Sequence, residues 1–488
     1  MFTRITILIV LSSCLFPCAL QVQQSPQNKK KDDGPTTERP SEIENLLSQA
    51  RSLPAEFAID ILMRVEKSKR VDRQWRKEIL EEAFILTASV QNDLRETSIP
   101  FPSTPTDTRA GYRALAFTAG LDALSLRCLI VDEMLSIDRS VALRMFNEIS
   151  PKLQFKPRSC SAASDYDVAG FYRLLGKLVR TLYDEKQIQQ GERVQFLLPY
   201  IESMSSPAQI EPLTKLLLST GLRRKESFII SQSFANALRK ITVSDRSFSA
   251  SLLRNNSMRS VFELVNMYRK SDVPYSEILS NYRAYLVRHL QAVRCEDNVR
   301  FLKRQILEIN YLYADNPLTT EESTPSEVDK ESPSIKPYFQ SEQSKALMAE
   351  LRDLRGFDDD DPATREPYTS ASWQEKMLDF LRRLEAWDAG SESDEMDYFH
   401  QKCILYRMLF SIVPAGTQSD QVLFSYLELL SSSGAINESR IEWLWHLNDL
   451  ISSINKKPSP ERLRLLNIIA NSKKPVVQAY GALAKVVL

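Results

Sequence analysis

The stretch Ala114–Leu126 (ALAFTAGLDALSL) constrains this chain more than any other, because Asp122 is its one charged residue and the rest suit burial on almost every side. Within Asp107–Leu135 the sequence therefore predicts a central helix. Ala110, Gly111, Ala114, Ala116, Ala119, Gly120 and Ala123 are small enough to let neighbouring helices approach closely. Its mid-helix glycines cost about 1 kcal/mol each unless packing offsets them.

The rest of the chain supplies such neighbours. Only 12 glycines occur in 488 residues, well below the usual share of about 7%, which argues against Gly-rich phosphate loops and folds with many tight hairpins. Ser41 with Glu44 reads as a capping box, Pro54 suits a first helical turn, and Asp72 and Asp138 are N-cap residues. Apolar residues recur at helical spacing in Ile79, Ala83, Leu86 and Val90. The same spacing predicts helices at 171–183, 194–204, 226–241, 275–293, 298–313, 342–355, 373–387, 396–413, 421–430, 441–454 and 476–487. Connections of a few residues make successive helices antiparallel. The expected fold is all-α: antiparallel helical hairpins, either α-solenoid-like or a large helical bundle. Helix pairs of this size match solenoid units, but the fixed tetratricopeptide pattern of Trp, Gly, Tyr, Ala and Pro is absent.

Composition marks the boundaries. Residues 1–21 read as a signal peptide, with Arg4 ahead of the apolar run Ile5–Leu20, which is shorter than the roughly 20 residues of a span and contains Pro17. Residues 22–40 read as a disordered tether, being charged and nearly free of aliphatic side chains. An N-terminal helical domain is expected at 41–314 and a C-terminal one at 341–488, joined by a linker at 315–340 that contains four prolines. The chain is thus expected to be exported, periplasmic or secreted. Leu11-Ser12-Ser13-Cys14 also resembles a bacterial lipoprotein signal, so membrane contact is expected only if Cys14 carries lipid. Lys+Arg and Asp+Glu both total 63, which removes any general attraction to nucleic acid.

An oxidising compartment permits disulfides, and Cys128, Cys160, Cys295 and Cys403 remain after the signal. A bond between Cys128 and Cys160 is expected, because Cys160 lies in an irregular loop able to fold back over the helix carrying Cys128. Closing about 32 residues would stabilise by roughly 3 to 4 kcal/mol.

No catalytic motif emerges. His289 lies among Ile278, Tyr282, Tyr285, Leu286 and Leu290, the setting of a core histidine. His400 and Cys403 at i, i+3 suit two zinc ligands on one turn, but no partner pair stands elsewhere, and His446 has no motif around it. Asp358-Asp359-Asp360-Asp361 lacks the spaced oxygens and glycine of a calcium loop and reads as a solvated acidic loop. Asn448-Asp449-Leu450-Ile451-Ser452 resembles the second metal-binding segment of terpene synthases, but Lys456 replaces its acid and Pro362 interrupts the DDxxD pattern, so that family is rejected. Helical-superhelix lytic transglycosylases need a Glu-Ser segment in glycine-rich surroundings, which is absent. Trp373, Trp387, Trp443 and Trp445 sit at core spacing among Leu and Phe. No catalytic, metal or cofactor residue is therefore assigned. The expected function is an exported interaction or scaffolding module with a protein partner. The alternative is a helical-toroid enzyme acting on cell-envelope polysaccharide, whose titratable groups would lie in the acidic loop.

Overall fold

In a computed structural model, residues 39–99, 108–241, 245–331, 338–356, 368–388, 390 and 394–486 are described, apart from position 255. The expected signal peptide at 1–21, most of the tether at 22–40 and the acidic run Asp358–Asp361 lie outside the described residues. The fold is all-α, with twenty-three α-helices and only four two- or three-residue strands among the described residues. None of these helices is long and apolar enough to cross a membrane.

Local chemistry starts many of the helices. Asp72, Asp122, Asp138, Ser341, Ser370 and Asp394 each accept a hydrogen bond from a backbone N–H two or three residues ahead. Such caps contribute about 1 kcal/mol apiece. The expected continuous central helix is in fact two, Arg109–Phe117 and Ala123–Ile137. Gly120 turns left-handed at φ +67°, and Asp122 accepts from Ser125 N at 2.9 Å, so the one charged residue of the apolar stretch is the cap of its second half.

Burial on several faces is satisfied by stacking. Helix Arg73–Leu86 packs on Ala123–Ile137, which packs on Ala169–Thr181, then Ile210–Ser219, then Asn256–Lys270. Beside this row runs another, formed by Glu192–Glu202, Arg224–Lys240 and Ser276–Leu290. Helix Glu296–Leu312 packs on Asp245–Arg254.

The disulfide differs from the expected Cys128–Cys160 pair. Cys160 joins Cys295, with their Cα atoms 5.4 Å apart, and Cys128 is a buried free thiol. Arg246 donates to the Cys160 carbonyl and draws the loop carrying it to helix Asp245–Arg254, beside which Cys295 lies.

The last helix returns to the first. Pro475–Val486 packs on Ser41–Arg51, and Arg440–Asn455 packs on Arg109–Phe117 and Ala55–Val65. Tyr480 donates to Asp60 at 2.7 Å, Arg440 to the buried Glu56 at 2.9 Å, and the Phe57 and Trp443 rings stand 5.7 Å apart. Residues from Pro40 onward thus form one compact unit whose main hydrophobic cluster draws on both halves. The boundary expected at 315–340 does not separate two cores. Much of that stretch is fastened: Arg283 forks onto Glu322 with two bonds of 2.8 Å, and Arg294–Cys295 pairs with Val328–Asp329.

Candidate functional site

Helix Glu395–Ile412 has two chemically opposed faces. Glu395, Tyr398, Lys402 and Tyr406 recur every three or four residues, which places them on one side. Helix Thr417–Ser432 contributes Phe424, Ser425 and Glu428, and the end of helix Ala371–Ala386 contributes Glu385, with Asp388 just beyond it. Together these enclose an open groove of about 960 Å³.

The groove floor is tied down by its one lysine. Lys402 Nζ donates to the carbonyls of Glu385 and Trp387 at 3.2 and 2.8 Å and to Tyr398 Oη at 2.9 Å. A lysine on the last carbonyls of a helix completes that helix's C-terminus. Burial lowers the Lys402 pKa, against the opposing pull of Asp388 and Glu385. With three acceptors around it, the ammonium is fully engaged. The walls are different. Glu385, Asp388, Glu395 and Glu428 are exposed, and Glu385, Glu395 and Glu428 make no ion pair among the described residues. Ser425 donates to Glu385. A β-carbon on Gly434 would overlap the Glu395 carboxylate, so this glycine gives that side chain its place. Phe424 is 58% exposed on the groove wall.

The opposite face holds a buried polar chain. His400 Nε2 lies 2.8 Å from Glu442 Oε2, and His400 Nδ1 lies 2.7 Å from His446 Nε2. All three side chains are almost wholly buried. Burial raises the Glu442 pKa, but the His400 hydrogen bond and charge, with Arg113 and Ser439, outweigh it and hold the carboxyl below its usual range. Burial, with the charges of His400 and Arg407, pushes the His446 pKa well down. Tyr112 stacks on His446 at 6.0 Å, and Tyr338 stands 5.7 Å from His400.

The sequence candidates fall into place against this geometry. His289 is a core histidine: it lies between Phe248 at 4.9 Å and Tyr285 at 4.4 Å, with no hydrogen-bond partner among the described residues on either ring nitrogen. Burial, helped by Arg288, drives its pKa down to about 3. His400 and Cys403 do not converge on a ligand. His400 is spent on Glu442 and His446, and burial pushes the Cys403 thiol up beside Tyr426. Among the described residues no group of three His, Cys, Asp or Glu is placed to hold a metal. Asn448 accepts from Arg64, and Asp449 pairs with Arg407, so neither faces an open site. Trp373 and Trp443 are core residues whose indoles donate to Leu354 and Leu430 carbonyls, both at 3.0 Å.

Comparison with known proteins adds little. No protein-family model matches the chain, and no curated protein is significantly similar to it. The crystal structure of an engineered protein aligns over 91% of this chain and 98% of its own, at 12% identity and a TM-score of 0.16, which is too low to carry an argument.

Proposed function

We propose that the protein is an interaction module that takes a lysine- or arginine-rich segment of a partner polypeptide in the groove along helix Glu395–Ile412. The observation that carries this reading is the imbalance of the groove itself. Four exposed carboxylates and three aromatic rings line it, while its one lysine is committed to helix carbonyls. Carboxylates give a cationic side chain its counter-charge, and aromatic faces attract the same group through their quadrupoles. Export into an oxidising compartment fits this role, supported by the apolar run Ile5–Leu20 and the buried Cys160–Cys295 bond.

Catalysis on polysaccharide is the weaker reading. Glycoside cleavage needs one carboxyl kept protonated, commonly by burial, beside one kept ionised. The groove carboxylates are exposed, and the buried Glu442 is held ionised and does not line the groove.

Calorimetric titration with a lysine-rich peptide tests the proposal. Binding should weaken with added salt, and Glu395→Gln with Glu428→Gln should weaken it about tenfold, two exposed charges at roughly 0.7 kcal/mol each. No binding at low salt, or equal binding by the double variant, contradicts the reading. Turnover of peptidoglycan that disappears in Glu395→Gln would replace it with the enzyme.

A further inference from the structure

We propose that the His400–His446 contact is an acid-sensitive joint, which on taking up a second proton loosens the seat of helix Arg109–Phe117 and shifts helix Glu395–Ile412, which also carries the groove. Only the consequence for the groove rests on the reading above. The joint itself stands on the histidine geometry.

With Glu442 accepting from His400 Nε2–H at 2.8 Å, the 2.7 Å gap between His400 Nδ1 and His446 Nε2 holds one hydrogen, on either ring. The three nitrogens in these two contacts are then satisfied. A further proton that leaves both rings charged sets N–H against N–H across that gap, with no acceptor between them. It also places a second imidazolium in a buried site, where an uncompensated charge is costly. Parting the rings relieves both conflicts.

Most of the charges around the joint are already engaged. Helix Arg109–Phe117 brings Arg109 and Arg113. Arg109 is engaged by Asp394 at 3.0 Å and Asp397 at 3.8 Å, and Arg113 by Glu96 at 3.2 Å. Helix Glu395–Ile412 brings Arg407, paired with Asp449 of helix Arg440–Asn455 at 3.5 Å. The end of the 315–340 segment brings Tyr338, whose hydroxyl burial holds far above its usual range. Among the described carboxylates at the joint, Glu442 hydrogen-bonds His400, Asp397 reaches His400 only through its charge, and Glu438, beside Glu442, has its pKa raised, chiefly by burial. Asp397 keeps its pairing with Arg109 as its main contact. Tyr112 lies 6.0 Å from His446 and 5.6 Å from His400, so separating the imidazoles displaces the residue that seats its helix. One additional proton changes an equilibrium by at most about tenfold per pH unit, and for a depressed histidine this begins below about pH 6.5.

Three histidines in the whole chain make side-chain NMR direct. Ring-nitrogen titration of the full chain is paired with amide hydrogen exchange, corrected for intrinsic rates, in the wild type and in His446→Gln. Glutamine can still donate to His400 Nδ1 but takes up no proton. In the wild type, exchange in Arg109–Phe117 and Glu395–Ile412 should rise by up to about tenfold per pH unit as the pair charges, while Arg224–Lys240 stays level. In His446→Gln both should stay level. Proton uptake by the pair without local opening overturns the proposal, as does the same rise in His446→Gln. If His446→Gln fails to fold, the wild-type titration and exchange decide alone. No groove ligand is involved, so the joint and the groove fail independently.

Discussion

The stacked helices between 169 and 290 and the helices after 371 bury polar groups in different ways. In the stack several close in short, self-contained sets, while His289 stands without a hydrogen bond among the described residues. Gln209 donates to Tyr172 at 2.9 Å, Arg193 pairs with Glu226, and Asn281 accepts from Arg239 and donates to the Ala235 carbonyl, each at 2.9 Å. Each set joins two neighbouring helices and fixes how they sit. After 371 the buried groups form a chain through Glu442, His400 and His446, on a helix whose other face lines an acidic groove. Packing accounts for the first arrangement. The second retains proton capacity and exposed charge that packing does not require, and it is there that function is sought.

Removing the Cys160–Cys295 bond should do most damage to the stack. A closed stretch of 135 residues gives up to about 5 kcal/mol in the chain-entropy model, so Cys160→Ala with Cys295→Ala should sharply lower the urea midpoint. An unchanged midpoint would mean that helix packing alone holds that end. Arg193→Ala leaves the Glu226 carboxylate buried without its cation and should cost about 3 to 5 kcal/mol by the same measurement. On the other side of the comparison, a β-carbon on Gly481 would overlap the Ala470 backbone, where helices Ser459–Ala470 and Pro475–Val486 cross. Gly481→Ala should therefore cost about 1 to 3 kcal/mol. A neutral result would show that this hairpin relaxes freely.

The smallest effect at neutral pH belongs to His289. Its folded pKa, about 3, lies below the unfolded value of about 6.5, so the unfolded chain binds the extra proton and stability falls as the pH drops through that window. His289→Leu should gain stability relative to wild type by up to about 1.4 kcal/mol per pH unit below 6.5, with little change above it. Parallel acid denaturation curves for the two proteins would refute the orphaned-imidazole account.

Much of this fold was legible in the sequence, because apolar spacing of 3 and 4 residues fixes helices within two or three positions wherever burial decides them. Helix Glu395–Ile412 was expected at 396–413, and Arg440–Asn455 at 441–454. Ala114–Leu126 misled because apolar composition outweighed the local alternative. Gly120 in a left-handed turn followed by an Asp cap ends and restarts a helix without changing hydrophobicity. The 315–340 stretch misled for the converse reason: Pro, Ser and Glu suggest looseness, yet one arginine fork at Glu322 ties it down. The disulfide partner depends on which helices a loop crosses, and spacing along the chain does not encode that. Glu442 and His446 stand four apart, a spacing too common to single out, and His400 arrives from 42 residues before Glu442. The groove had one visible trace, the Glu395, Tyr398, Lys402, Tyr406 face of helix Glu395–Ile412.

Hydrogen exchange of the full chain with and without a saturating lysine-rich peptide tests groove binding most directly. Protection should concentrate between Glu385 and Gly434, on the helices that line the groove, and should fade with added salt. Protection centred on the stacked helices between 73 and 290, or none at all under conditions where the peptide binds, would contradict the assignment of this groove as the site.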